Sequence, residues 1–588
     1  MNTRWIINKE VDKQIVGELS NVLGIDENLA TLLVQRGITN YDEAKDFFRP
    51  SLTHLHDPFL MKDMDKAVER IKKAWEEGEK ILVYGDYDVD GTTAVALIYT
   101  YLKNFISKKK ISFYIPDRYD EGYGISYKGI DYAAENGFSL VIVLDCGIKA
   151  VDKIQYANSR NIDFIICDHH RPGDEIPNAV AVLDSKRIDC EYPYKELSGC
   201  GVGFKLITAL SMTLNRPIEE VYELLDLVAV SIAADIVPIN GENRVLAYYG
   251  LQLINKNPRP GLEAVLSHAN VYRQEEPQLV SEQPQNVLNK EVTISDLVFM
   301  IGPRINAAGR LEKASDSVRL LIADKKEHAD KLASSINDLN VRRREFDNRI
   351  TEEALAMIEQ NETLRNAKST VLFNENWHKG VIGIVASRLT DSYYRPTIVL
   401  TRSNNLITGS ARSIKNFDIY DAIDNCSDLL EHFGGHKYAA GLSLKPENLE
   451  EFSRRFEEYV ANNIDKEELV PEINVDLEID FSDITPKFVR VLKQFAPFGP
   501  GNMAPVFLSR NVVDTGLSRS VGNKKHLKLT IAQKQDTSLV FAGIAFQKGE
   551  DYMRVHSKEP FSICYCIEKN FWQGKTNLQL NVKDIKFE

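Results

Sequence analysis

Apolar runs too short to form helices recur in the first half of the chain, each ending in acidic or histidine residues. Residues 80–86 read KILVYGD and lead into the helical pattern TTAVALIYTYLKNF. The same arrangement returns at 139–147, SLVIVLDCG, and at 162–170, IDFIICDHH, with helix-like segments between the runs. Short apolar runs that alternate with helices are typical of buried parallel strands. The pattern therefore predicts a parallel α/β domain.

A long charged segment follows in the second half. From about 316 to 360 the sequence keeps a helical pattern without Gly or Pro, which predicts one long connecting helix. Its apolar stripe consists of Leu332, Ile336, Leu339, Phe346 and Ile350, and Arg343 interrupts it.

Two further blocks come after this helix. The block at about 366–462 contains the strand-like runs STVLFNE and RPTIVLT and two glycine-rich turns, GSARS and FGGHKYAAG, which predict a second α/β domain. The block at about 470–588 has short alternating runs, such as HLKLTI and SLVFAGIAF, separated by turn residues. This alternation predicts an all-β domain, which we interpret as a barrel.

Length and composition narrow the class of protein. The 588 residues predict roughly four domains. The net charge of −13 and the pI near 5.5 argue against a general polyanion binder, so any nucleic-acid contact must be local. The seven cysteines include no CxxC pair, which favours a reduced, cytoplasmic protein. We expect neither a signal peptide nor a membrane-spanning helix, which needs about 20 apolar residues.

Candidate chemistry lies where the predicted strands end. Asp86, Asp88 and Asp90 in GDYDVDG are three carboxylates within one short loop, and they repel one another unless a cation or solvent neutralises them. A solvated acidic turn is the plain alternative. A calcium-binding EF-hand does not fit, because the preceding helix and the later Glu are missing. A divalent metal is the simplest explanation for this loop.

Three more places in the chain have acidic or histidine residues in or directly after an apolar run. Asp145 follows the second strand, and Asp235 interrupts the apolar stretch LVAVSIAADIVPI. The third strand ends in Asp168, His169 and His170, a mixed set of oxygen and nitrogen donors that suits Mn²⁺. The plain alternatives are a helix cap for Asp145, a chance surface position for the DHH tripeptide and a solvent-facing helix end for Asp235. Together these residues supply ligands for two ions, the arrangement that promotes phosphoester hydrolysis.

The order of these motifs resembles a known superfamily. GDYDVDG, LDCG, CDHH and AADIVP occur in the order and spacing of the DHH phosphoesterases, and within them the chain resembles the RecJ family of single-strand-specific exonucleases. GPRINAAGRL, WHKGVIGIVASRL, FGGHKYAAGLSL and FAPFGPGNMAP extend the resemblance over nearly the whole chain. Pyrophosphatase-like members carry a histidine where this chain has Leu82, which favours the nuclease branch.

The resemblance implies an α/β multidomain fold: a DHH parallel-sheet domain, a long connecting helix, a DHH-associated α/β domain and an OB-fold β-barrel at the carboxyl end. The expected boundaries are 1–60 for an amino-terminal segment, 61–315 for the DHH domain, 316–365 for the helix, 366–465 for the DHH-associated domain and 466–588 for the OB-fold domain.

The resemblance also implies roles for the acidic and histidine residues. It implies two Mn²⁺ or Mg²⁺ ions, with a further group of side chains that supports the ligands or faces the phosphate. The implied ligands are Asp86, Asp88, Asp145, His169 and Asp235, and the supporting residues are Asp90, Asp168 and His170.

Substrate contacts follow from the same comparison. Arg118, Ser410 and Arg412 stand where RecJ-like proteins grip a 5′-terminal phosphate, for which a guanidinium is a natural partner. An ordinary ion pair for Arg118 and a plain turn for GSARS are the alternatives. The remaining positions expected to contact DNA are Arg304, Asn306, Arg310 and His436. Further candidates on the long helix are Arg342, Arg343 and Arg344, for which a solvated helix face is the alternative. Candidates in the last domain are Lys524, Lys525, His526, Lys528 and Trp572, and for Trp572 packing within the barrel is the alternative.

The implied activity is metal-dependent 5′→3′ hydrolysis of single-stranded DNA to 5′-mononucleotides, in DNA repair and recombination. The implied setting is a cytoplasmic monomer that works with single-strand-binding protein and a RecQ-type helicase. A small-molecule phosphodiesterase and a catalytically inactive DNA-binding scaffold are the rivals. The long helix and the barrel argue against the first rival, and the complete ligand set argues against the second.

Two stretches depart from the family pattern. The sequence VLDSKR at 182–187 stands where an Asn-Pro pair is usual, and GNMAP at 501–505 replaces the common GNPEP. Neither stretch contains an implied ligand. The Gln-, Glu- and Pro-rich stretch 272–292 has the composition of a surface insertion.

Overall fold

The computed structural model describes residues 3–274, 287–557, 559–572 and 575–587, apart from the side chains of 570–572, 575 and 576. Most of the predicted insertion at 272–292 and the side chain of Trp572 therefore lie outside the described residues. The chain forms two compact units. One comprises residues 338–473 with the amino-terminal residues through Ile6, and the other comprises residues 7–337 and 474–588.

The amino-terminal segment contains a strand and three α-helices, which precede the helix α4 of the next domain. Side chains from its helices, such as Leu29 and Leu33, are buried in the same hydrophobic core as Phe495 and Phe507 of the last domain. This segment is therefore part of a larger core and does not form a separate layer. The elements are β1 (Arg4–Ile7), α1 (Lys13–Leu23), α2 (Glu27–Gln35), α3 (Tyr41–Phe48) and α4 (Met64–Glu76).

The predicted parallel sheet is present. It has five parallel strands in the order β3-β2-β4-β5-β6, so the carboxyl ends of all five lie at one edge. The central strands are fully buried, which explains their continuous apolar runs. The strands are β2 (Ile81–Gly85), β3 (Ile111–Tyr114), β4 (Leu140–Leu144), β5 (Asp163–Cys167) and β6 (Ala181–Leu183).

Helices surround this sheet and extend beyond it. A π-helical turn at Leu297–Ile301 leads directly into the helix that carries the PRINAAGR motif. The helices are α5 (Val89–Leu102), α6 (Tyr127–Glu135), α7 (Val151–Ser159), α8 (Gly199–Thr213), α9 (Glu219–Tyr222), α10 (Leu225–Ala234), α11 (Gly241–Lys256), α12 (Pro260–Ser267), α13 (Ile294–Asp296), α14 (Gly302–Leu311) and α15 (Ser315–Leu321).

The long connecting helix, α16, is Lys326–Gln360, followed by the short α17 at Glu362–Asn366. The predicted start at 316 is wrong, because 316–321 belongs to the separate helix α15. The chain turns between the two helices, where Ala323 is buried and Asp324 pairs with Lys103 at 3.0 Å. No Gly or Pro marks this turn, so the sequence pattern runs through it.

The second α/β block has a mixed sheet in the order β10-β11-β9-β8-β7, in which only β7 and β8 are parallel. The glycine-rich turn predicted at GSARS is wrong, since residues 409–412 lie in strand β9. The turn predicted within FGGHKYAAG is present at Lys437 and Tyr438, between strands β10 and β11. The elements are β7 (Thr370–Phe373), α18 (Ile382–Tyr393), β8 (Thr397–Ser403), β9 (Leu406–Arg412), α19 (Ile419–Asp424), β10 (Leu430–His436), β11 (Ala439–Leu444) and α20 (Leu449–Asn463).

Cross-strand packing explains why glycine occupies those strands. A Cβ on Gly409 would lie 2.4 Å from Leu400 Cδ2 on the neighbouring strand. A Cβ on Gly435, whose φ is +155°, would lie 2.4 Å from the Ala439 carbonyl oxygen. Both glycines permit close contact between strands.

The predicted barrel is confirmed. Strands β14, β18, β19, β17 and β16 pair in that order, and the additional pairing of β14 with β16 closes the ring. Strand β12 pairs with β1. The elements are β12 (Glu472–Val475), β13 (Leu477–Glu478), α21 (Pro486–Lys493), β14 (Phe507–Asp514), β15 (Arg519–Val521), β16 (His526–Gln533), β17 (Asp536–Ala545), α22 (Tyr552–His556), β18 (Phe561–Trp572) and β19 (Lys575–Phe587).

In the described part of the chain, none of the helices has the length and apolarity required to cross a membrane. All seven cysteines lie within the described residues, and each is a buried free thiol.

Candidate metal centre

The acidic and histidine motifs meet at the carboxyl edge of the parallel sheet. Asp86 follows β2, Asp145 follows β4, and His169 stands two residues beyond β5. Asp145 has a φ of +60°, a left-handed conformation that is rare for aspartate and common at functional sites. Asp235 reaches the same place from the carboxyl end of α10.

The imidazole of His169 lies at the centre of these carboxylates. Its Nε2 atom is 3.1 Å from Asp145 Oδ1, 3.6 Å from Asp235 Oδ2 and 3.7 Å from Asp90 Oδ2. A second group of potential ligand atoms, from Asp86, Asp88 and Asp145, lies within 4.8 Å of one another. The structure thus brings together all five residues implied as ligands.

Several of these buried atoms lack a hydrogen bond. Asp86 Oδ1, Asp145 Oδ1 and both ring nitrogens of His169 have none among the described residues. Polar atoms left in this state are costly unless another group binds them. Carboxylate oxygens with an imidazole nitrogen are donors that suit Mn²⁺, and carboxylates also suit Mg²⁺. The residues present therefore fit a divalent metal centre.

The pKa shifts of the clustered side chains also indicate a metal centre. Burial, reinforced by repulsion from neighbouring carboxylates, raises the pKa of Asp86, Asp88 and Asp145, and it raises that of Asp235 to about 8. Burial also lowers the pKa of His169. Protons and a divalent ion therefore compete for these carboxylates, and binding of the ion favours their ionised form.

Asp90 is held in place by the amino terminus of α8. Its carboxylate accepts hydrogen bonds from the backbone N–H groups of Gly199 (2.6 Å) and Cys200 (2.8 Å), and from the Ser231 hydroxyl (2.6 Å). This anchoring group was not identified in the sequence. Its only local signal is Ser198, which caps a glycine-rich helix start.

Asp168 supports the two histidines that follow it. Its Oδ1 accepts hydrogen bonds from the backbone N–H of His169 at 2.7 Å and from Nδ1 of His170 at 2.7 Å, while Oδ2 accepts the N–H of Ile148. Burial raises the pKa of Asp168, but the hydrogen bond and charge of His170, the backbone N–H of Ile148 and the charge of His169 together lower it to about 2. Burial lowers the pKa of His170, but Asp168 raises it to about 9. His170 is therefore a cation at neutral pH.

Close backbone packing fixes the metal-facing loops. A Cβ on Gly199 would lie 2.6 Å from Asp145 Cβ, and a Cβ on Gly91 would lie 2.5 Å from the Asp86 carbonyl oxygen. A Cβ on Gly309 in α14 would lie 2.7 Å from the Tyr87 carbonyl oxygen. These three glycines let neighbouring helices and loops approach the acidic motifs.

The loop after β3 covers one side of the centre. The guanidinium of Arg118 lies 4.9 Å from the ring centroid of Tyr87 in a cation–π contact. The hydroxyl of Tyr123 donates to the Asp145 carbonyl oxygen at 3.2 Å and is 3.3 Å from Nε2 of His170. Tyr123 is a neighbour of the site that sequence reasoning missed, because an aromatic residue in a loop carries no chemical signal of its own.

Three predicted DNA contacts lie on one helix, α14. Arg304 donates to the carbonyl oxygens of Met300 (2.6 Å) and His268 (3.1 Å), so it binds the protein's own backbone. Asn306 and Arg310 are half-buried on the same helix.

The other unit contains Ser410, Arg412 and His436. Arg412 donates to the Ser410 hydroxyl at 3.0 Å, and both side chains approach the first turn of α18, where a Cβ on Gly383 would lie 2.9 Å from Ser410 Oγ. His436 is exposed at the end of β10.

The remaining basic candidates differ in their surroundings. Arg343 is paired with the buried Asp347 at 3.7 Å, whereas Arg342 and Arg344 are exposed. In the barrel, His526 Nδ1 accepts the N–H of Gln547 at 3.0 Å. Lys524, Lys525 and Lys528 are exposed.

Comparison with known proteins identifies the family. Three family models match in order: DHH family, N-terminal domain at 80–232, DHHA1 domain at 366–462 and RecJ OB domain at 475–584. A Bacillus subtilis protein named single-stranded-DNA-specific exonuclease RecJ is 36% identical over 583 residues, which cover 99% of this chain and 70% of that protein. The chain belongs to the RecJ family. The Escherichia coli RecJ is 32% identical, over 89% of this chain and 90% of its own length.

A solved structure of the RecJ family agrees with the fold. The crystal structure of Thermus thermophilus RecJ in complex with Mn²⁺ superposes with a TM-score of 0.82 at 26% identity, covering 100% of this chain and 80% of that one. A second structure of the Thermus RecJ contains Mg²⁺ and gives a TM-score of 0.76. The DHH sheet and the OB barrel are thus features of this RecJ-family chain.

Proposed function

We propose that this protein is a Mn²⁺- or Mg²⁺-dependent exonuclease specific for single-stranded DNA. One observation carries the proposal: buried carboxylate and imidazole atoms without hydrogen bonds converge at the carboxyl edge of the sheet. The activity named for the relatives from Bacillus subtilis and Escherichia coli is the second support.

We assign the metal ligands to His169, to the two carboxylates of Asp145 and Asp235 beside its Nε2 atom, and to the neighbouring carboxylates of Asp86 and Asp88. Two divalent ions held by these residues would supply the charge that stabilises the attacking and leaving oxygens of a phosphodiester during hydrolysis. Asp90 links the loop after β2 to the start of α8, and Asp168 orients His169 and His170. The ligands are Asp86, Asp88, Asp145, His169 and Asp235.

His170 has a distinct role in this proposal. Its ring is a cation at neutral pH, and its Nδ1 is engaged by Asp168. Its side chain is nearly half exposed, so a phosphate oxygen can approach it. We propose that His170 binds and orients the phosphate that undergoes hydrolysis.

We propose 5′→3′ polarity with release of 5′-mononucleotides. Arg412 and Ser410 form a donor group beside the start of α18, which suits a terminal phosphate. Arg118 is a further candidate phosphate contact. Arg304, Asn306, Arg310 and His436 remain candidates for contacts with the strand.

The biological setting is also a proposal. We propose that a cytoplasmic monomer acts in DNA repair and recombination with single-strand-binding protein and a RecQ-type helicase. Co-purification from the source cell, followed by mass spectrometry and light scattering, tests the partners and the oligomeric state.

Digestion of end-labelled DNA tests the proposed activity. With Mn²⁺, a 5′-labelled single strand should yield labelled mononucleotide at the earliest time points, while a 3′-labelled strand shortens gradually. EDTA should abolish both reactions, and a blunt duplex should resist. Early release of mononucleotide from the 3′ label, or equal digestion of the duplex, would contradict the proposal.

A further inference from the structure

The segment between Asp235 and helix α11 contacts a loop of the barrel domain. Asp235 ends α10, and the next residue, Ile236, is 63% exposed with a φ of +60°. A β-branched residue in this conformation is strained and persists only where its surroundings hold it. The backbone N–H of Ile239 then donates to the Pro500 carbonyl oxygen at 2.6 Å. The contact with the barrel domain is therefore made only a few residues after a candidate ligand.

A glycine permits this contact. A Cβ on Gly499 would lie 2.5 Å from Cγ1 of Ile239, far inside contact distance. Ile239 is 1% exposed, so its side chain has no free space into which it can move. Gly501 also lies close to this segment, since a Cβ built on Gly501 would be 3.3 Å from the Cβ of Pro238.

The loop that carries Gly499 is itself firmly held. Arg244, which is 5% exposed, donates to the carbonyl oxygens of Phe495 at 2.9 Å and Ala496 at 3.0 Å. Asn502, 3% exposed, donates to the carbonyl oxygens of Phe495 at 2.8 Å and Pro497 at 2.9 Å. The loop is therefore a rigid surface against the 236–239 segment.

The other side of the segment is fixed as well. Asn243 Nδ2 donates to the Pro238 carbonyl oxygen at 3.1 Å, and the Tyr194 hydroxyl donates to Asn240 Oδ1 at 2.7 Å. The segment is thus held between α11 and the barrel-domain loop. Only three residues, 236–238, separate Ile239 from Asp235, whose Oδ2 lies 3.6 Å from His169 Nε2.

We propose that Gly499 is a positioning residue for the metal centre: its lack of a side chain lets the barrel-domain loop fix Ile239 and thereby the carboxylate of Asp235. This inference rests on the proposed ligand role of Asp235. It gives the barrel domain a task in metal binding that is separate from any contact with DNA.

Calorimetric titration of the full-length protein with Mn²⁺ tests the inference. Gly499→Ala should weaken Mn²⁺ binding at one site about tenfold, the range found when residues that orient a metal ligand are changed. Affinity for single-stranded DNA measured by fluorescence anisotropy in EDTA should stay within about twofold, because the variant leaves the barrel's own strands intact.

A rescue variant separates positioning from misfolding. Ile239→Ala removes the Cγ1 atom that a Cβ at 499 would strike, so the double variant should bind Mn²⁺ as tightly as Ile239→Ala alone. Gly17→Ala is the matched control, since a Cβ there meets nothing within 4 Å. It should bind Mn²⁺ like the parent protein.

The outcomes distinguish the inference from the proposed function. Unchanged Mn²⁺ affinity in Gly499→Ala, or a double variant that binds Mn²⁺ more weakly than Ile239→Ala alone, overturns the positioning role. Asp235→Ala is measured in parallel. If that variant also binds Mn²⁺ normally, the ligand role proposed for Asp235 fails. If Asp235→Ala alone loses affinity, the ligand role stands and only the inference about Gly499 is overturned.

Discussion

At the scale of single residues, Asp184, which lies in the stretch 182–187 expected to depart from the family pattern, has an unusual environment. It is 0% exposed, its Oδ1 accepts the N–H of Lys186 at 2.7 Å, and its Oδ2 has no hydrogen bond within the described chain. Burial, with repulsion from Asp168, raises the pKa of Asp184 to about 7. A carboxyl group in this state reduces stability whenever it must ionise.

Replacement of Asp184 by asparagine should change the pH dependence of stability. Between about pH 4 and 7 the native carboxyl keeps its proton while the unfolded chain has lost it. The contribution of this group therefore falls as pH rises through that window, and its cost is fully present above pH 7. Asp184→Asn removes the cost, so the free energy of unfolding at pH 8 should rise by roughly 2 kcal/mol.

Urea unfolding of both proteins in EDTA at pH 5 and pH 8 measures this effect. The gain from Asp184→Asn should be larger at pH 8. The exposed Asp174 provides the control, because Asp174→Asn should leave the pH dependence unaltered. Equal gains at both pH values would show that Asp184 is ionised throughout.

At the scale of elements, the strand-end motifs were predictable and their supports were not. Strand periodicity places Asp86, Asp145 and His169 at one edge, because parallel strands share their carboxyl ends. The contacts from Ser231 and the start of α8 to Asp90 join residues more than 100 positions apart. No local pattern encodes such contacts.

Other misassigned elements have the same origin. Gly409 lies in a strand, and the side chain of Leu400 on the neighbouring strand packs against it. The sequence GSARS alone contains no sign of this contact. The turn before α16 contains neither Gly nor Pro, and within it Ala323 is buried and Asp324 pairs with Lys103. Local propensity is overruled in both places by tertiary packing.

Helix α2 supports a prediction at this scale. Leu33 is 0% exposed in the core shared with the barrel domain, so Leu33→Ala should lower the free energy of unfolding by about 3 kcal/mol. Limited proteolysis should then cleave the barrel domain faster. Leu517→Ala makes the same substitution at a 72% exposed site and should have little effect. Equal stability of the two variants would refute the shared core.

At the scale of the whole molecule, the charge of −13 and a nucleic-acid substrate are compatible. Several of the carboxylates are gathered in one buried cluster, where two divalent cations would offset about four negative charges. The net charge therefore describes the solvated surface and the metal centre together. It is a poor guide to where a DNA strand is bound.

The central claim is that this buried cluster is a two-ion centre, and Mn²⁺ titration of the full-length protein tests it most directly. The parent protein should bind two Mn²⁺ ions per chain, with affinity that increases from pH 6 to pH 8 as the carboxylates lose their protons. Asp145→Asn and His169→Ala should each lose at least one ion and most of the nuclease activity. Unchanged binding of two ions in both variants would contradict the claim.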